Sequence, residues 1–486
     1  MDDLLPEIFF TLWPYLFAVL NTGLAIGASC HVVLTKRDNR SALGWVGIIW
    51  LTPIIGAFLY FAFGVNRIHR KARRLRKYQQ KPASPPLEYC TDEDLHRQLG
   101  PDYRGLQRLV QFVDQASKVP LLDGNRLTPL AKGDEAYAAM LSAIDEANKS
   151  VSLQTYIFDN DEAGRKFVHA LGRAKDRGVE VRVLIDDVGT RYTWPSVKGH
   201  LRGAGIPFDT FLPTLIPWKF HYTNLRNHRK IMVVDGRVGF TGGMNIRQGC
   251  CESNPGKHPL HDLHFKVEGP VVTHMQETFA DDWEFCTDER LAGDAWFPAV
   301  EQIGTCLARG IEDGPDVEYD KIRLTILGAI GCASRSLHII TPYFLPDQAL
   351  ITALNVAAMR GVDVNVIVPQ KGNLRLVQWA CTAQLWQMLQ RGCKVWLSPP
   401  PFDHTKLMVV DDVWSFIGSA NWDARSLRLN FEFNVECYDR RLAAQLIEIV
   451  RQRISVSHQT SLEEVDSRSI PVRLRDGIAR LAMPYL

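Results

Sequence analysis

Two nine-residue stretches, NHRKIMVVD at 227–235 and DHTKLMVVD at 403–411, each set a histidine and a lysine two residues apart, with an aspartate five beyond the lysine. Six of the nine positions are identical. Each stretch reads as a β-strand, whose side chains alternate faces, so His228 and Lys230 share one face while Arg229 and Ile231 point the other way. His404 and Lys406 repeat the arrangement. An imidazole beside an ammonium suits an anion: the cation holds it, and the imidazole attacks it or moves a proton. A single such pair would more often be a solvated strand edge. The duplication argues for a site.

The duplication extends past the motif. GRVGFTGGMN ends at Asn245 and DVWSFIGSAN at Asn421, each asparagine seventeen residues beyond its histidine. Upstream, residues 154–187 and 340–370 both read strand, helix, an Arg-Gly helix end, and strand. Gly178 and Gly361 occupy the helix C-cap positions. Strands alternating with helices of this length predict βαβ units and a mostly parallel α/β sheet. The repeat divides the soluble part into two lobes of ordinary domain size, 119–305 and 306–486. A pseudo-twofold axis between them would face His228 toward His404 and Lys230 toward Lys406 across one cleft.

Paired H-x-K-x4-D motifs, each followed by a Gly-rich turn and an asparagine, resemble those of the phospholipase D superfamily. The resemblance extends to its bacterial cardiolipin synthase branch through TPYFLPD (341–347), GSANWDARSLRLNFE (418–432), HDLHFKVEGPVV (261–272) and the closing RLAMPYL. It covers nearly the whole chain. It implies two homologous phospholipase D-like lobes related by a pseudo-twofold axis and preceded by two transmembrane helices. It also implies a phosphodiester exchange in which one histidine attacks phosphorus and the other protonates the leaving alkoxide. On that pattern His228 is the nucleophile, since near-symmetry of the motifs leaves the choice open. Lys230, Lys406, Asn245 and Asn421 would hold the phosphoryl oxygens. A carboxylate should orient each histidine, and by family position these are Asp262 in the first lobe and Glu432 in the second. Between Asn245 and Asp262 the chain departs from the branch, with IRQGCCESNPGKHPLH where an aromatic more often precedes the acid. Asp235 and Asp411 complete the catalytic motif, yet lie too far along the strand to share the phosphate, which favours a structural role.

No charged residue occurs from Ile8 to Thr35 or from Ser41 to Asn66. Each run exceeds the roughly 20 residues that cross a bilayer. The expected order is a first transmembrane helix in 1–35, a short loop and second helix in 36–66, and a basic juxtamembrane segment with linker in 67–118. A cleaved signal peptide would need a basic start, and the chain begins Met-Asp-Asp; a lipoprotein site at Cys30 meets the same objection. Three basic residues in the loop, against seven in RIHRKARRLRK (67–77), place the lobes on the cytoplasmic side of a bacterial inner membrane. That cluster can also hold anionic headgroups. QQKPASPPLE (79–88) reads as a Pro-rich linker.

Ten Lys/Arg against four Asp/Glu in residues 1–77 give +6, so the chain's +2 leaves −4 for the remainder. A nucleic-acid enzyme should carry a basic body. A mildly acidic body kept at lipid favours phospholipid substrates, phosphatidylglycerol and cardiolipin on the family reading, over nucleic acid. The ten cysteines show no C-x-x-C pairing and read as free thiols. His258, His261 and His264 of HPLHDLH would be a metal cluster by composition, but they fall where the family carries a strand and an acid. Two lysines at the main site would repel a cation, so neither a catalytic metal nor a cofactor is expected. The reading is a synthase joining two phosphatidylglycerol molecules with release of glycerol. A hydrolytic phospholipase D, a transferase using another alcohol, and an inactive lipid-binding scaffold are the alternatives.

Overall fold

The computed structural model describes residues 4–36, 39–64, 90–100, 104–213, 225–314 and 320–481. The basic run 67–77 and the Pro-rich stretch 79–88 lie outside the described residues. The chain divides into two compact units, one containing the N-terminal helices and one containing the lobes.

In the N-terminal unit the first apolar run is the helix Leu4–Thr35. Its stretch Leu12–Thr35 is long and apolar enough to cross a membrane. The second run departs from the expected single helix. It forms Asn39–Leu51 and Pro53–Leu59, followed by a π turn Tyr60–Gly64. Pro53 has no N–H and disfavours helical backbone at the preceding residue, and Thr52 sits at φ −143°, ψ 75°. At this break a Cβ on Gly56 would lie 2.6 Å from the Ile48 carbonyl oxygen, so the bend needs glycine there. One span by length is therefore present among the described residues, where sequence predicted two. Ala25, Ala28 and Val32 pack with Ile49, Ala57 and Tyr60.

The first lobe runs β1 (Leu122–Leu130), β2 (Ser150–Thr155), β3 (Glu180–Asp186), β4 (Phe208–Phe211), β5 (Ile231–Val234), β6 (Val238–Gly242), β7 (Leu260–His261) and β8 (His264–Glu268). The second runs β9 (Cys306–Asp313), β10 (Ser336–Ile340), β11 (Asp363–Pro369), β12 (Lys394–Ser398), β13 (Phe402–Asp403), β14 (Leu407–Val410), β15 (Trp414–Gly418), β16 (Glu432–Tyr438) and β17 (His458–Thr460). Fifteen of these strands form one sheet in the order β17-β12-β11-β10-β14-β15-β16-β9-β1-β8-β6-β5-β2-β3-β4. Leaving out the edge strand β17, the order reads equivalently from both ends. The middle pair, β9 and β1, is antiparallel, as a twofold through that pair requires. Within this sheet parallel pairing is confined to β2–β3–β4 and β10–β11–β12, with antiparallel pairs between, so the sheet is more mixed than the sequence pattern suggested.

Local rules account for the crossovers. Asp161 caps the helix Glu162–Asp176 by accepting from the Gly164 N–H, and Ala163, Phe167, Ala170, Leu171 and Ala174 form its buried face. Gly178 closes it at φ +90°, and Gly361 closes the equivalent helix at +91°. Residues 90–117, expected as linker, instead contribute the helices Asp92–Leu99 and Arg104–Ser117. Their Leu95, Leu106, Leu109 and Val113 enter the core of the second lobe with Ile322 and Ile326. A further core joins the lobes, packing Ile231, Val233 and Phe265 with Leu407, Val409 and Phe433. That shared core fixes one lobe against the other.

Asp235 and Asp411, grouped with the catalytic motif, stand at turns of the sheet, where backbone N–H groups take up their carboxylates. Each follows its strand at φ +52°. Asp235 accepts from the backbone N–H groups of Asn148, Lys149 and Ser150 at the start of β2. Asp411 does the same for Ser334, Arg335 and Ser336 at the start of β10. Removing the Asp411 carboxylate strands those donors, so Asp411→Ala should lower stability by about 2 kcal/mol. Turnover per folded molecule should stay within about threefold, since no group near the histidines moves. Thermal unfolding and activity on the same preparation check this; an unchanged Tm with lost turnover would return Asp411 to the catalytic group.

Candidate active site

Neither His-x-Lys stretch is itself a paired strand of the main sheet. Each is the extended lead-in to a strand, β5 or β14, and is held by a backbone bridge to the other lobe. Asn227 bridges Phe431; the His228 N–H donates to the Phe431 carbonyl at 2.9 Å, and the Phe431 N–H donates to the Arg226 carbonyl at 2.9 Å. In the second copy β13 pairs with β7, and the His404 N–H donates to the His261 carbonyl at 2.7 Å. The residue after Phe431 is Glu432, and the residue after His261 is Asp262. Each bridge thus delivers a carboxylate to the histidine of the opposite lobe. His228 Nδ1 lies 3.0 Å from Glu432 Oε2, and His404 Nδ1 lies 2.7 Å from Asp262 Oδ2. Sequence singled out both acids but assigned each to the lobe carrying it; the pairs cross.

With Nδ1–H given to a carboxylate, Nε2 is the free ring nitrogen. The two rings face one cavity of about 260 Å³, with centroids 6.5 Å apart and planes at 77°. Lys230 Nζ donates to the His228 carbonyl at 2.6 Å, and Lys406 Nζ donates to that of His404. Each Nζ is therefore tied to the backbone carbonyl of its own histidine. Arg229, on the opposite face as the alternation requires, is buried and paired with Asp282 at 2.8 Å.

Burial dominates the electrostatics. It pushes His228 down to about 4 against the pull of Glu432, with Lys230 adding to the lowering. It pushes His404 down to about 4, helped by Lys406 and opposed by Asp262. Lys230 falls to about 7 and Lys406 to about 8 through the same desolvation, although Glu432 and Asp262 favour their charged forms. Burial works to raise Glu432, but His228 and Lys230 hold it below its ordinary value. An anion entering the cavity would favour every protonated form.

The asparagines are less alike than the sequence predicts. Both line the cavity. Asn245 Oδ1 accepts from the Ile157 N–H at 3.1 Å, which leaves its amide nitrogen available as a donor. Asn421 Nδ2 instead donates to Ser426 Oγ at 3.2 Å, because the turn after Asn421 brings that hydroxyl into reach. The carboxylates differ too. Glu432 accepts from Ser419 Oγ and Asn430 Nδ2 besides His228. Asp262 accepts from the Leu263 N–H besides His404. At the position equivalent to Ser419 stands Gly243, where a Cβ would lie 2.1 Å from Asp262 Oδ1.

Several lining residues escaped sequence reading. Tyr156 packs edge-on to His228 at 5.1 Å, with Lys230 Nζ 5.7 Å from its ring centre. Its place just beyond the carboxyl end of β2 was the available signal. Asp423, pushed up to about 6 by burial, also lines the cavity, two residues after Asn421. Leu345, Leu374, Val377 and Phe402 make one wall apolar. His258, His261 and His264 do not converge, and among the described residues no three His, Cys, Asp or Glu side chains are grouped as metal ligands.

A two-lobed sheet with one site between the lobes, built from both, defines a phospholipase D-like protein. The family described as cardiolipin synthase, PLD-like domain, matches residues 140–283 and 326–454, and that described as Phospholipase_D-nuclease N-terminal matches 23–64. The chain belongs to the cardiolipin synthase family of phospholipase D-like proteins. It is 31% identical over 477 residues to "Major cardiolipin synthase ClsA" of Bacillus subtilis (strain 168), covering 97% of this chain and 98% of that one. It is 30% identical over 464 residues to "Cardiolipin synthase" of Staphylococcus aureus (strain N315), covering 94% and 93%. The fold is shared with the phosphatidylserine synthase of Haemophilus influenzae Rd KW20, at a TM-score of 0.62 and 15% identity over 78% of this chain and 100% of that one.

The depressed lysines make anion binding a proton-linked event. At pH 8 Lys230 is mostly neutral and Lys406 about half charged, and an anion shifts both toward the ammonium. Sulfate, which carries no titrating proton there, should bind with uptake of about one proton. Calorimetry in two buffers of different ionisation heat measures this; identical heats in both would refute it.

Proposed function

We propose that this protein is a membrane-anchored cardiolipin synthase that moves a phosphatidyl group from one phosphatidylglycerol to the glycerol hydroxyl of another. The observation that carries the reading is the crossed pair of histidine–carboxylate contacts around a single cavity, which leaves two imidazole Nε2 atoms for one phosphorus. In the first step His228 Nε2 attacks, the P–O bond to glycerol breaks, and His404 supplies the alkoxide its proton. In the second step His404 takes the proton of the incoming hydroxyl, whose oxygen displaces His228 from phosphorus. Both histidines are neutral in the empty site, so the phosphodiester's own negative charge must raise His404 to make it an acid. The assignment of His228 as nucleophile follows the family pattern, since both histidines hold equivalent carboxylate contacts. Lys230 and Lys406 neutralise the equatorial oxygens, and Asn245 Nδ2 adds a donor.

On this reading the anchor is followed by a 119–305 lobe and a 306–486 lobe. The run 41–64 returns across the bilayer as two helices joined at Thr52, since a proline break is tolerated where neighbouring helices satisfy the backbone. The basic run 67–77 then lies in the cytoplasm with the lobes. Phospholipid is the substrate class and nucleic acid is not.

Exchange of one glycerol ester for another makes and breaks the same bond type, so it needs no nucleotide and runs both ways. Purified protein with phosphatidylglycerol alone should give cardiolipin and glycerol in equal amounts, and excess glycerol should reverse the reaction. Phosphatidic acid as the main product at every lipid concentration would instead establish the hydrolase.

His228→Ala and His404→Ala should each lower turnover by roughly a thousandfold or more, and the double variant scarcely further, as for groups acting as a unit. A phosphatidyl adduct trapped by acid quench should map to His228. An adduct on His404 would reverse the assignment, and more than a few per cent of activity in either single variant would dismantle the shared-cavity mechanism.

A further inference from the structure

The helix Ile470–Leu481 is packed the wrong way round for a soluble domain. Its Asp476 and Ala479 are 1% and 2% exposed, while Ile470, Leu474, Ile478 and Leu481 are 79%, 63%, 59% and 76% exposed. Steps of four, four and three put those aliphatic side chains on one stripe. The inward face is fastened by charge: Asp476 pairs with Arg468 at 2.6 Å and Arg475 at 2.7 Å. Arg475 also stacks 4.4 Å from the Trp379 ring. The orientation is therefore fixed, and the outward stripe is not the frayed side of a loose terminus. Four large aliphatic groups left in water are costly unless something covers them.

The helix adjoins the catalytic cavity. Ala479 packs with Val377 and Leu345, and both of these line the cavity. Leu374, beside Val377, is exposed and lines it too. The charges on the helix itself favour one sign. The helix carries Arg473, Arg475 and Arg480 against the single Asp476, which is buried and paired, and Lys371 and Arg375 are exposed on the neighbouring segment.

We propose that this face docks on an anionic bilayer. Ile470, Leu474, Ile478 and Leu481 enter the boundary between headgroups and chains, and Arg473 and Arg480 lie at the lipid phosphates. An aliphatic stripe edged by arginine is the composition of an in-plane interfacial helix, and anionic lipid is the surface its charge complements. Docking brings the Leu374 and Val377 wall of the cavity to the lipid surface, so substrate passes from bilayer to site without crossing water. The inference rests on the phospholipid reading of the site.

Two measurements on the full chain test it. In the first, Leu474→Glu/Ile478→Glu is compared with the unaltered protein on phosphatidylglycerol vesicles and on a six-carbon-chain phosphatidylglycerol kept monomeric. The vesicle rate should fall about tenfold or more, and the monomer rate should stay within about twofold. Equal vesicle rates, or equal losses on both substrates, overturn the proposal. In the second, amide hydrogen exchange of residues 470–481 is followed in the unaltered chain, and so does not depend on a variant folding. Exchange should slow about tenfold in nanodiscs containing phosphatidylglycerol relative to nanodiscs of phosphatidylcholine. Arg473→Glu/Arg480→Glu should abolish the difference. Protection equal in both lipids, or protection that instead rises with protein concentration as a second copy covers the stripe, overturns it. A chain that makes no product from either substrate while 470–481 is still protected would sink the synthase reading and leave the docking surface standing.

Discussion

The site hangs on a backbone crossing. Phe431 and His261 each pair with the segment preceding the other lobe's histidine, and the acid that follows each is thereby carried to that histidine. An imidazole anchored by a carboxylate of its own lobe would keep its tautomer if the lobes moved apart. Here it would lose its anchor, and a buried carboxylate would lose its partner. Relative placement of the lobes is thus part of the catalytic geometry. That explains why so much structure is committed to it: a continuous sheet through β9 and β1, and a core in which Phe265 of one lobe packs with Phe433 of the other. A displacement of about 1 Å at this seam would reach both histidines at once.

The same seam sets the charge balance. Lys230, Lys406, Glu432 and Asp262 sum to zero when ionised, and the histidines are neutral in the empty site. Both lysines are held below their ordinary value by burial, which stores a readiness to take up protons. A phosphodiester would add one negative charge, which proton uptake by these groups offsets, and both Nζ atoms are already fixed by their bonds to the histidine carbonyls. Little must reorganise when it arrives, which is the condition under which buried charge aids phosphoryl transfer.

What sequence could show was what duplication repeats. Spacing of His228 and Lys230, their echo at 404 and 406, and the strand–helix–strand order upstream all appear twice; period-two alternation put the His-x-Lys stretches on strands, whereas they are the extended lead-ins to β5 and β14. The crossing of Asp262 and Glu432 was illegible because it relates segments 142 and 204 residues apart. Near-symmetric motifs read the same whether the pairs cross or not. Asp235 and Asp411 were ambiguous because a carboxylate that closes a turn is as fixed in the motif as one that does chemistry. Hydropathy counted residues 41–66 as one span because it scores composition and overlooks the backbone cost of Pro53. Helices 92–99 and 104–117 were hidden beside a proline-rich stretch, although the spacing of Leu106, Leu109 and Val113 is helical.

Thermodynamics gives the site one real choice. Breaking and making like phosphodiester bonds costs almost nothing, whereas water at the same phosphorus ends the sequence irreversibly. Selection between alcohol and water must therefore come from access. The cavity lining mixes His228, His404, Asn245 and Asn421 with Leu345, Leu374, Val377 and Phe402, and the apolar members offer water no hydrogen bond while an acyl chain could lie against them. Burial keeps both histidines neutral while the cavity is empty. A lipid would engage the polar and the apolar lining together, whereas water would engage only the polar groups and gain no binding energy from the rest.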